Sequence, residues 1–333
     1  MRPARARFNR PTRSGVHAVT GYLIRRLLQT IFVTIIVTVI TFCLLHLVPG
    51  GEVRAILGVR ATPAEIALYS RQWGFNQPLY VQYGKWMWQL LHGNFGFDLK
   101  QNAPVSTLLW QALPRTLVLA FIGTGLGLLI GIPLGIFQAV RRYSVLDHVV
   151  TGIGFIGYGS PTFFVGLLLV QWFAVNLHIF PAFAPQATSL GGILSQPVAL
   201  VLPVATYAFV AFALWSRYMR SSVLDNIVQD YVRTARSKGA SERRVLWGHI
   251  FRNSLISIVT LLGLQLPIII GGSIFIEVVF NYPGMGLLFY NAAYNTDIQL
   301  MLAITVITTL ITILGNLLAD LGYAMLDPRV RYT

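Results

Sequence analysis

Apolar and polar positions alternate along this chain in long blocks. Six segments are predominantly apolar over the roughly 20 residues that a helix needs to cross a hydrocarbon core about 30 Å thick. They are residues 27–48, 117–140, 149–177, 198–215, 255–280 and 300–325. The first contains no charged residue. The third is longer than a span requires; Pro161 predicts a kink there, and tilting takes up the rest. Pro133, Pro203 and Pro267 lie inside other runs, where neighbouring helices can satisfy the freed carbonyl. The first run follows an Arg-rich start, as a signal peptide would, but exceeds the about 7–15 apolar residues of a signal core. Leu45-His46-Leu47-Val48-Pro49 offers no small-residue cleavage site, so the run reads as an uncleaved span.

Residues 49–116 are too many for a plain connector. Thr62-Pro63-Ala64-Glu65 predicts a helix start, with Thr as N-cap, Pro at the first helical position and Glu closing a capping box. Leu79 to Leu91 reads as a second short helix ended by Gly93, with Tyr80, Tyr83, Trp86 and Trp88 at headgroup level. A third helix starts near Pro104 and leads into the second span. Two readings stay open here: interfacial helices covering the bundle, or a docking surface for an external partner.

Composition supports the membrane reading. Of 333 residues, 55% are hydrophobic and 11% charged, with a mean hydropathy of +0.65, whereas soluble domains carry about 25% charged residues. The formal charge is +14. Such an excess raises nucleic acid as a partner in a soluble protein; interleaved with apolar runs, it reports topology instead. Of the 25 Lys and Arg residues, 19 lie before Arg26 or at it, at Arg141 and Arg142, between Arg217 and Arg252, or at Arg329 and Arg331. The two connections 178–197 and 281–299 have none. Both termini and the segment 217–254 are therefore expected in the cytoplasm. The expected organisation is an all-α membrane protein with six transmembrane helices. A basic cytoplasmic segment (1–26) precedes the first span (27–48), an extracytoplasmic loop with short helices (49–116) follows, then a five-helix core (117–325) and a cytoplasmic tail (326–333). The single cysteine, Cys43, forms no internal disulfide and reads as a small packing residue.

Enzymatic signatures fail. Gly84-Lys85 is followed by Trp86, and Leu79 stands where a phosphate-binding loop needs Gly. The six histidines are scattered without metal-ligand spacing. Gly152-Ile153-Gly154 follows no strand and suits close helix packing better than a dinucleotide. No metal or cofactor site is expected on this chain. Polar residues at membrane depth are few: Gln171, Gln265, Glu277, Asn316 and Asp320. Glu277 and Asp320 lie near helix ends and read as structural. Gln171 and Gln265 are candidates to line a polar pathway.

The least apolar stretch, YVRTARSKGASERRVLWGHIFRN (231–253), sits between the fourth and fifth spans. Val223, Leu224, Ile227, Val228, Tyr231 and Ala235 are spaced as one face of a helix continuing from the fourth span. Gly239 can take the left-handed conformation that ends it. Ser241 can cap a second helix bearing Arg243, Arg244 and Val245. A helix, a glycine turn and a second helix, held by two spans, predict a rigid projecting knuckle. A basic amphipathic segment beside a membrane suits anionic lipid. Against that, the apolar stripe stops before the Arg cluster, and the turn is expected to aim Thr234, Ala235 and Ser237 outward for a close protein contact.

These residues resemble a known group. YVRTARSKGASERRVL is similar to the cytoplasmic coupling segment of permease subunits from bacterial ABC importers of the dipeptide, oligopeptide and nickel type. The likeness extends to YSVLDHVVTGIGFIGYGSPTFFVGLLL (143–169), to FNYPGMGLL (280–288) and to NLLADLGYAMLDPRVRY near the end. Arg233-Thr234-Ala235 stand where the general importer motif has Glu-Ala-Ala, and Asp297 lacks the flanking Arg and Pro frequent in relatives. The resemblance implies a type I ABC importer permease fold in the bacterial inner membrane. It implies a second homologous permease, two cytoplasmic ATPase subunits that bind ATP and magnesium, and an extracytoplasmic solute-binding protein. It assigns ATPase coupling to Tyr231, Arg233, Thr234, Ala235, Ser237 and Gly239, and peptides as the first-choice cargo. The competing class is a stand-alone secondary transporter or channel, which favours charged midplane sites on broken helices; no charge lies near a span midpoint here. A subunit of a membrane enzyme complex would need a cofactor constellation, which is absent from the sequence.

Overall fold

A computed structural model describes residues 13–46, 53–54, 57, 61–98, 100–187, 189–271 and 274–326. Among the described residues the chain is helical with one two-residue antiparallel pair, β1 (Phe97–Asp98) with β2 (Ala103–Pro104). Helix α1 (Arg13–His46) includes residues 27–46 of the first expected span and the described part of the basic segment assigned to residues 1–26. Leu47 and Val48 fall outside the described residues, and Cys43 is exposed rather than packed.

The capping box forms as expected. In α2 (Pro63–Trp73) the Thr62 hydroxyl oxygen accepts from the Glu65 N–H, and the Glu65 carboxylate accepts from the Thr62 N–H at 2.8 Å. Helix α3 (Leu79–Leu91) turns only half its aromatic residues to solvent. Tyr80 and Trp88 are exposed, whereas Tyr83 and Trp86 pack beside Phe42 of α1. Helix α4 (Val105–Val140) starts just past Pro104 and runs through the second span.

The third span departs from expectation. Helices α5 (Val145–Gly159) and α6 (Thr162–Leu169, continued by a π-helical turn to Asn176) meet at 111° instead of forming one tilted rod. Pro161 supplies no N–H and drives Ser160 to the extended φ −87°, ψ 138°. After α7 (Leu190–Leu194), helix α8 (Pro197–Ile227) carries the fourth span and projects well past it. The expected continuous helix from Val223 to Gly239 is interrupted at Val228 and Gln229, and α9 (Asp230–Ser237) starts afresh. Two side-chain amides take carbonyls that a continuing helix would use: Asn226 Nδ2 donates to Ser222 O, and Gln229 Nε2 to Asp225 O. Then follow α10 (Glu242–Val245, with a π-helical turn to Ile250) and α11 (Phe251–Gly271). Helix α12 (Ile274–Val279) carries the rest of the fifth expected span, and residues 272 and 273 lie outside the described residues. Helix α13 (Met285–Tyr294) and the long α14 (Ile298–Leu326) complete the order.

Among the described residues, four helices are long and apolar enough to cross a membrane, or five if α5 with α6 counts as one. Leu28–Cys43 of α1 is a shorter apolar helix.

Helices α4 and α8 form the tightest pair. Gly123, Gly127, Gly131 and Gly135 recur every fourth residue along α4 and face α8. A Cβ at Gly135 would stand 2.5 Å from the Ser216 carbonyl oxygen. Without an aqueous hydrophobic drive between helices, such close backbone approach supplies dispersion contact.

The second tie is polar. Glu277 of α12 is fully buried. Its carboxylate accepts from the Thr116 hydroxyl at 2.7 Å and from the N–H groups of Gly286 at 2.6 Å and Leu287 at 3.1 Å. The Thr116 oxygen accepts in turn from the Met285 N–H, and the Tyr282 hydroxyl donates to Arg115 O. Arg115 donates to Pro283 O at 3.0 Å. A Cβ on Gly284 would lie 2.5 Å from the Glu277 carboxylate, which explains a glycine there. FNYPGMGLL is thus a turn wrapped over one carboxylate and sewn to α4.

Glu277→Ala strips an acceptor from one hydroxyl and two N–H donors. It is expected to lower stability by about 3 kcal/mol or more, with Glu277→Gln intermediate because one amide oxygen remains. Thermal unfolding of the detergent-solubilised chain checks this; an Ala variant melting with the unaltered protein contradicts the account.

Candidate functional site

The basic segment folds into a hairpin at one end of the bundle. Helix α9 is short but strongly two-faced: Val232 and Ala235 are buried, whereas Arg233, Thr234, Arg236 and Ser237 are exposed. Asp230 in its first turn and Arg236 in its last complement the helix dipole. It ends in a Schellman turn. Gly239, at φ +79°, donates to Arg236 O at 2.9 Å, and Ala240 donates to Ala235 O at 3.2 Å. Across the turn Arg236 grips Glu242 through two bonds of 2.8 and 3.0 Å. Ser241 occupies the expected N-cap position of α10, but its side chain makes no capping bond.

Apolar packing fixes this hairpin to the bundle. Val232, Ala235, Val245 and Ile250 share one buried cluster with Ile136 and Ala139 of α4 and Trp215, Met219 and Val223 of α8. The knuckle is accordingly an extension of the helix core. Its surface differs in one respect from expectation: Ala235 is not aimed outward but is 8% exposed within that cluster. Tyr231 is half-buried, and its hydroxyl donates to Asn226 Oδ1 at 2.6 Å. The helical period explains this, since Tyr231 and Ala235 stand one turn apart and flank Val232 on the inward stripe. Arg233, Thr234, Ser237 and Gly239 form the exposed face. The Arg233 guanidinium is 3.8 Å from Asp230, both largely in solvent, so that pair contributes little. Sequence reasoning missed Val232 and Val245 as anchors, although each sits at helical spacing from a residue it had placed.

Gln171 is exposed on the π-helical turn after α6, where its amide donates to Asn176 Oδ1 at 3.1 Å. Gln265 is half-buried on α11. The Asp320 side chain lies outside the described residues.

The opposite end holds a cavity of about 410 Å³ between α1, α3 and the start of α14, walled by Phe42, Phe75, Trp86 and Phe97 with Lys85 and Asp297 at its polar edge. Asp297 caps α14, accepting from the Leu300 N–H at 2.9 Å. Burial first, and then the neighbouring Asp98 carboxyl, push the Asp297 carboxyl up to about 6, against the lowering effect of the Leu300 N–H. Asp98 is itself 2% exposed and accepts from the N–H groups of Lys100 and Gln101. The Lys100 ammonium donates to Asn295 O. The hairpin β1–β2 is therefore latched to the α13–α14 turn by polar contacts.

Comparison with known proteins agrees with this geometry. The family described as "binding-protein-dependent transport system inner membrane component" matches residues 131–332, and its N-terminal counterpart matches residues 19–120. The oligopeptide transport system permease protein AppB of Bacillus subtilis (strain 168) is 38% identical over 316 residues, covering 94% of this chain and 100% of that protein. A peptide permease protein of Brucella suis biovar 1 is 39% identical over 319 residues, 94% of this chain and 99% of the relative. A crystal structure of an amino acid ABC transporter with histidines matches at a TM-score of 0.52 and 17% identity, over 66% of this chain and 94% of that one. That likeness speaks to the fold.

Ala235→Glu places a carboxylate in the apolar cluster and is expected to destabilise the chain by about 3 kcal/mol; Thr234→Ala, on the exposed face, is expected to stay within about 0.5 kcal/mol. Thermal melting of the two variants distinguishes them, and equal melting temperatures contradict the inward placement of Ala235. The Asp297 carboxyl carries a pH signature. Its folded value of about 6 lies above the unfolded 3.8, so the folded state holds the extra proton between them. Its contribution to stability is present below pH 3.8 and is lost as pH rises through 6. The protection of the β1–β2 amides, with the intrinsic base-catalysed rise in exchange divided out, is expected to fall over that window and then level off. Asp297→Asn is expected to flatten the profile; an unchanged profile refutes the assignment.

Proposed function

The chain belongs to the family of binding-protein-dependent transport system inner membrane components, and from that premise we propose that it is the permease subunit of an ATP-driven importer of peptides. It is a multi-pass protein of the plasma (inner) membrane. The peptide cargo is carried by one observation above the rest: a named oligopeptide permease aligns over 94% of this chain and all of its own length. In the topology proposed, six spans place both termini and the 217–254 segment in the cytoplasm, and residues 49–116 outside. The broken pair α5–α6 counts as one span in that scheme, and α11 with α12 as another. The positive residues favour this orientation, because Lys and Arg concentrate in short cytoplasmic loops.

The partners proposed are a second homologous permease, two cytoplasmic ATPase subunits and an extracytoplasmic solute-binding protein. No catalytic group on this chain is needed, since ATP and magnesium belong to the ATPases. The hairpin α9–α10 is the coupling element. Arg233, Thr234, Ser237 and Gly239 meet an ATPase groove, while Tyr231 and Ala235 hold the hairpin to the bundle. ATP closes the ATPase pair, the seated hairpin moves with it, and the permease pair opens outward; hydrolysis resets it. Energetically, ATP biases a two-state bundle through a contact that differs between the states. Gln171 and Gln265 are the proposed polar residues of the pathway.

Arg233→Glu and Gly239→Val are expected to leave the chain inserted and folded, yet to reduce ATP-driven uptake of labelled tri-alanine by about tenfold or more. The valine acts through the backbone, because a β-branched residue is strained at φ +79° while open space surrounds the position. Vesicles carrying the whole assembly provide the assay. Full uptake by both variants removes the coupling site; uptake by the purified chain without ATPases replaces the importer with a secondary carrier.

A further inference from the structure

A second polar knot lies at the hairpin's end of the bundle. Helix α5 opens with Ser144, whose side chain caps the Asp147 N–H at 3.2 Å. The Asp147 side chain is 5% exposed. Its carboxylate takes the Arg220 guanidinium as a fork, Nε to Oδ1 and Nη2 to Oδ2, both at 3.0 Å. Oδ2 also accepts from the Tyr143 N–H at 2.9 Å, which holds Tyr143 in the left-handed region at φ +64°. Gln138 of α4 and Thr151 of α5 approach Oδ1 at 3.4 Å. Three helices thus converge on one carboxylate: α4 through Gln138, α5 through Asp147 and α8 through Arg220.

Position gives the pair its meaning. Arg220 stands about 10 Å along α8 from that helix's end at Ile227, at a rise of about 1.5 Å per residue. Its neighbours Met219 and Val223 are fully buried in the same cluster as Val232, Ala235 and Val245 of the hairpin. The hairpin is therefore packed on α8 beside the point where α8 is forked to α5. From there α5 leads to the elbow at Ser160–Pro161, and α6 beyond it seats Gly166 against Val279 and Phe280, next to the Glu277 knot. The glycine seam between α4 and α8 is mostly backbone and apolar contact, with Thr124 meeting Tyr207 toward its far end. The fork sets a register: a planar guanidinium on a carboxylate accepts one orientation, which a lysine cannot reproduce.

We propose that Asp147 and Arg220 are positioning residues of the transport cycle: their fork keys α8 to α5, so that displacement of the coupling hairpin is delivered to the elbow rather than absorbed by sliding along the glycine seam. This rests on the importer reading above. The ATPase contact itself lies elsewhere, on the exposed face of α9. Breaking the fork therefore uncouples: hydrolysis continues while uptake per ATP falls.

The test uses the full assembly in vesicles, with labelled tri-alanine and phosphate release measured together. Arg220→Lys and Asp147→Asn are expected to keep ATP hydrolysis within about twofold while uptake per ATP falls about tenfold. The exchanged pair Asp147→Arg with Arg220→Asp is expected to recover a substantial part of the ratio, which a residue that only maintains folding would not show. Should one single variant fail to insert, the other single variant and the exchanged pair carry the test. An unchanged ratio, or hydrolysis and uptake falling in proportion, overturns the proposal. Failure of the unaltered assembly to couple ATP to uptake is a different result and strikes the importer reading itself.

Discussion

In hydrocarbon, every backbone N–H and C=O must find its partner inside the protein. That constraint explains where this fold is knotted. Among the described residues the apolar helices break at Ser160–Pro161 and after Val279. The last break is the more demanding, because a turn with two glycines and a proline lies against buried helices. Glu277 meets the demand by acting as acceptor for two turn N–H groups and a neighbouring hydroxyl. Arg115 and Tyr282 exchange bonds with the carbonyls across the same seam. A charged residue at that depth is costly unless surrounded by donors, and here the donors come from the turn that the carboxylate shapes. The carboxylate and the turn stabilise each other.

Two kinds of contact then divide the work of the bundle. The α4–α8 seam is largely glycine against backbone and apolar side chains, so most of its cohesion is dispersion at short range. The polar knots at Glu277 and Asp147 supply direction. One sits on the α12–α13 turn, the other on the α4–α5 turn. Between them lies the continuous α8, whose end carries the hairpin. A hairpin anchored by Val232, Ala235, Val245 and Ile250 cannot swing freely from that rod. Its motion is that of the core.

Much of this was legible in the sequence because its signals are local. The capping box at Thr62, the helix 79–91 and the left-handed Gly239 follow from residues within one turn of each other. The resemblance carried by YVRTARSKGASERRVL agrees with the family to which the chain belongs. Two features were not legible for a common reason. The 111° elbow and the interruption at Gln229 both lie within apolar or amphipathic runs whose hydrophobicity is the same whether the helix continues or turns. Pro161 announces a disturbance but not its angle, which the packing of α6 on α12 decides. The outward placement of Ala235 went wrong because size was taken as a guide to exposure, when the helical period puts it beside Val232. The four-residue glycine repeat from Gly123 to Gly135 was present in plain sequence, and its meaning needed only the partner helix.

The choice of an ion pair at Asp147 and Arg220 is the less obvious design. Asp147 is buried while Arg220 is 30% exposed; replacing even a fully buried pair by apolar side chains of similar volume is often neutral or stabilising by about 1–4 kcal/mol, so stability alone does not account for it. Apolar side chains at that point would extend the sliding surface already present between α4 and α8. A forked pair instead admits one arrangement, and it draws Tyr143 and the α4–α5 turn into that arrangement through the same carboxylate. Conformational specificity is the property a moving membrane subunit needs most, since work done on one end of α8 is useful only if the other helices follow in register. The chain places one residue of left-handed backbone, Tyr143 at φ +64°, and its fork at one level of the bundle, beside the element proposed to receive the push. Stiffness there and looseness along the glycine seam are complementary: the seam lets helices move, and the fork decides which of them move together.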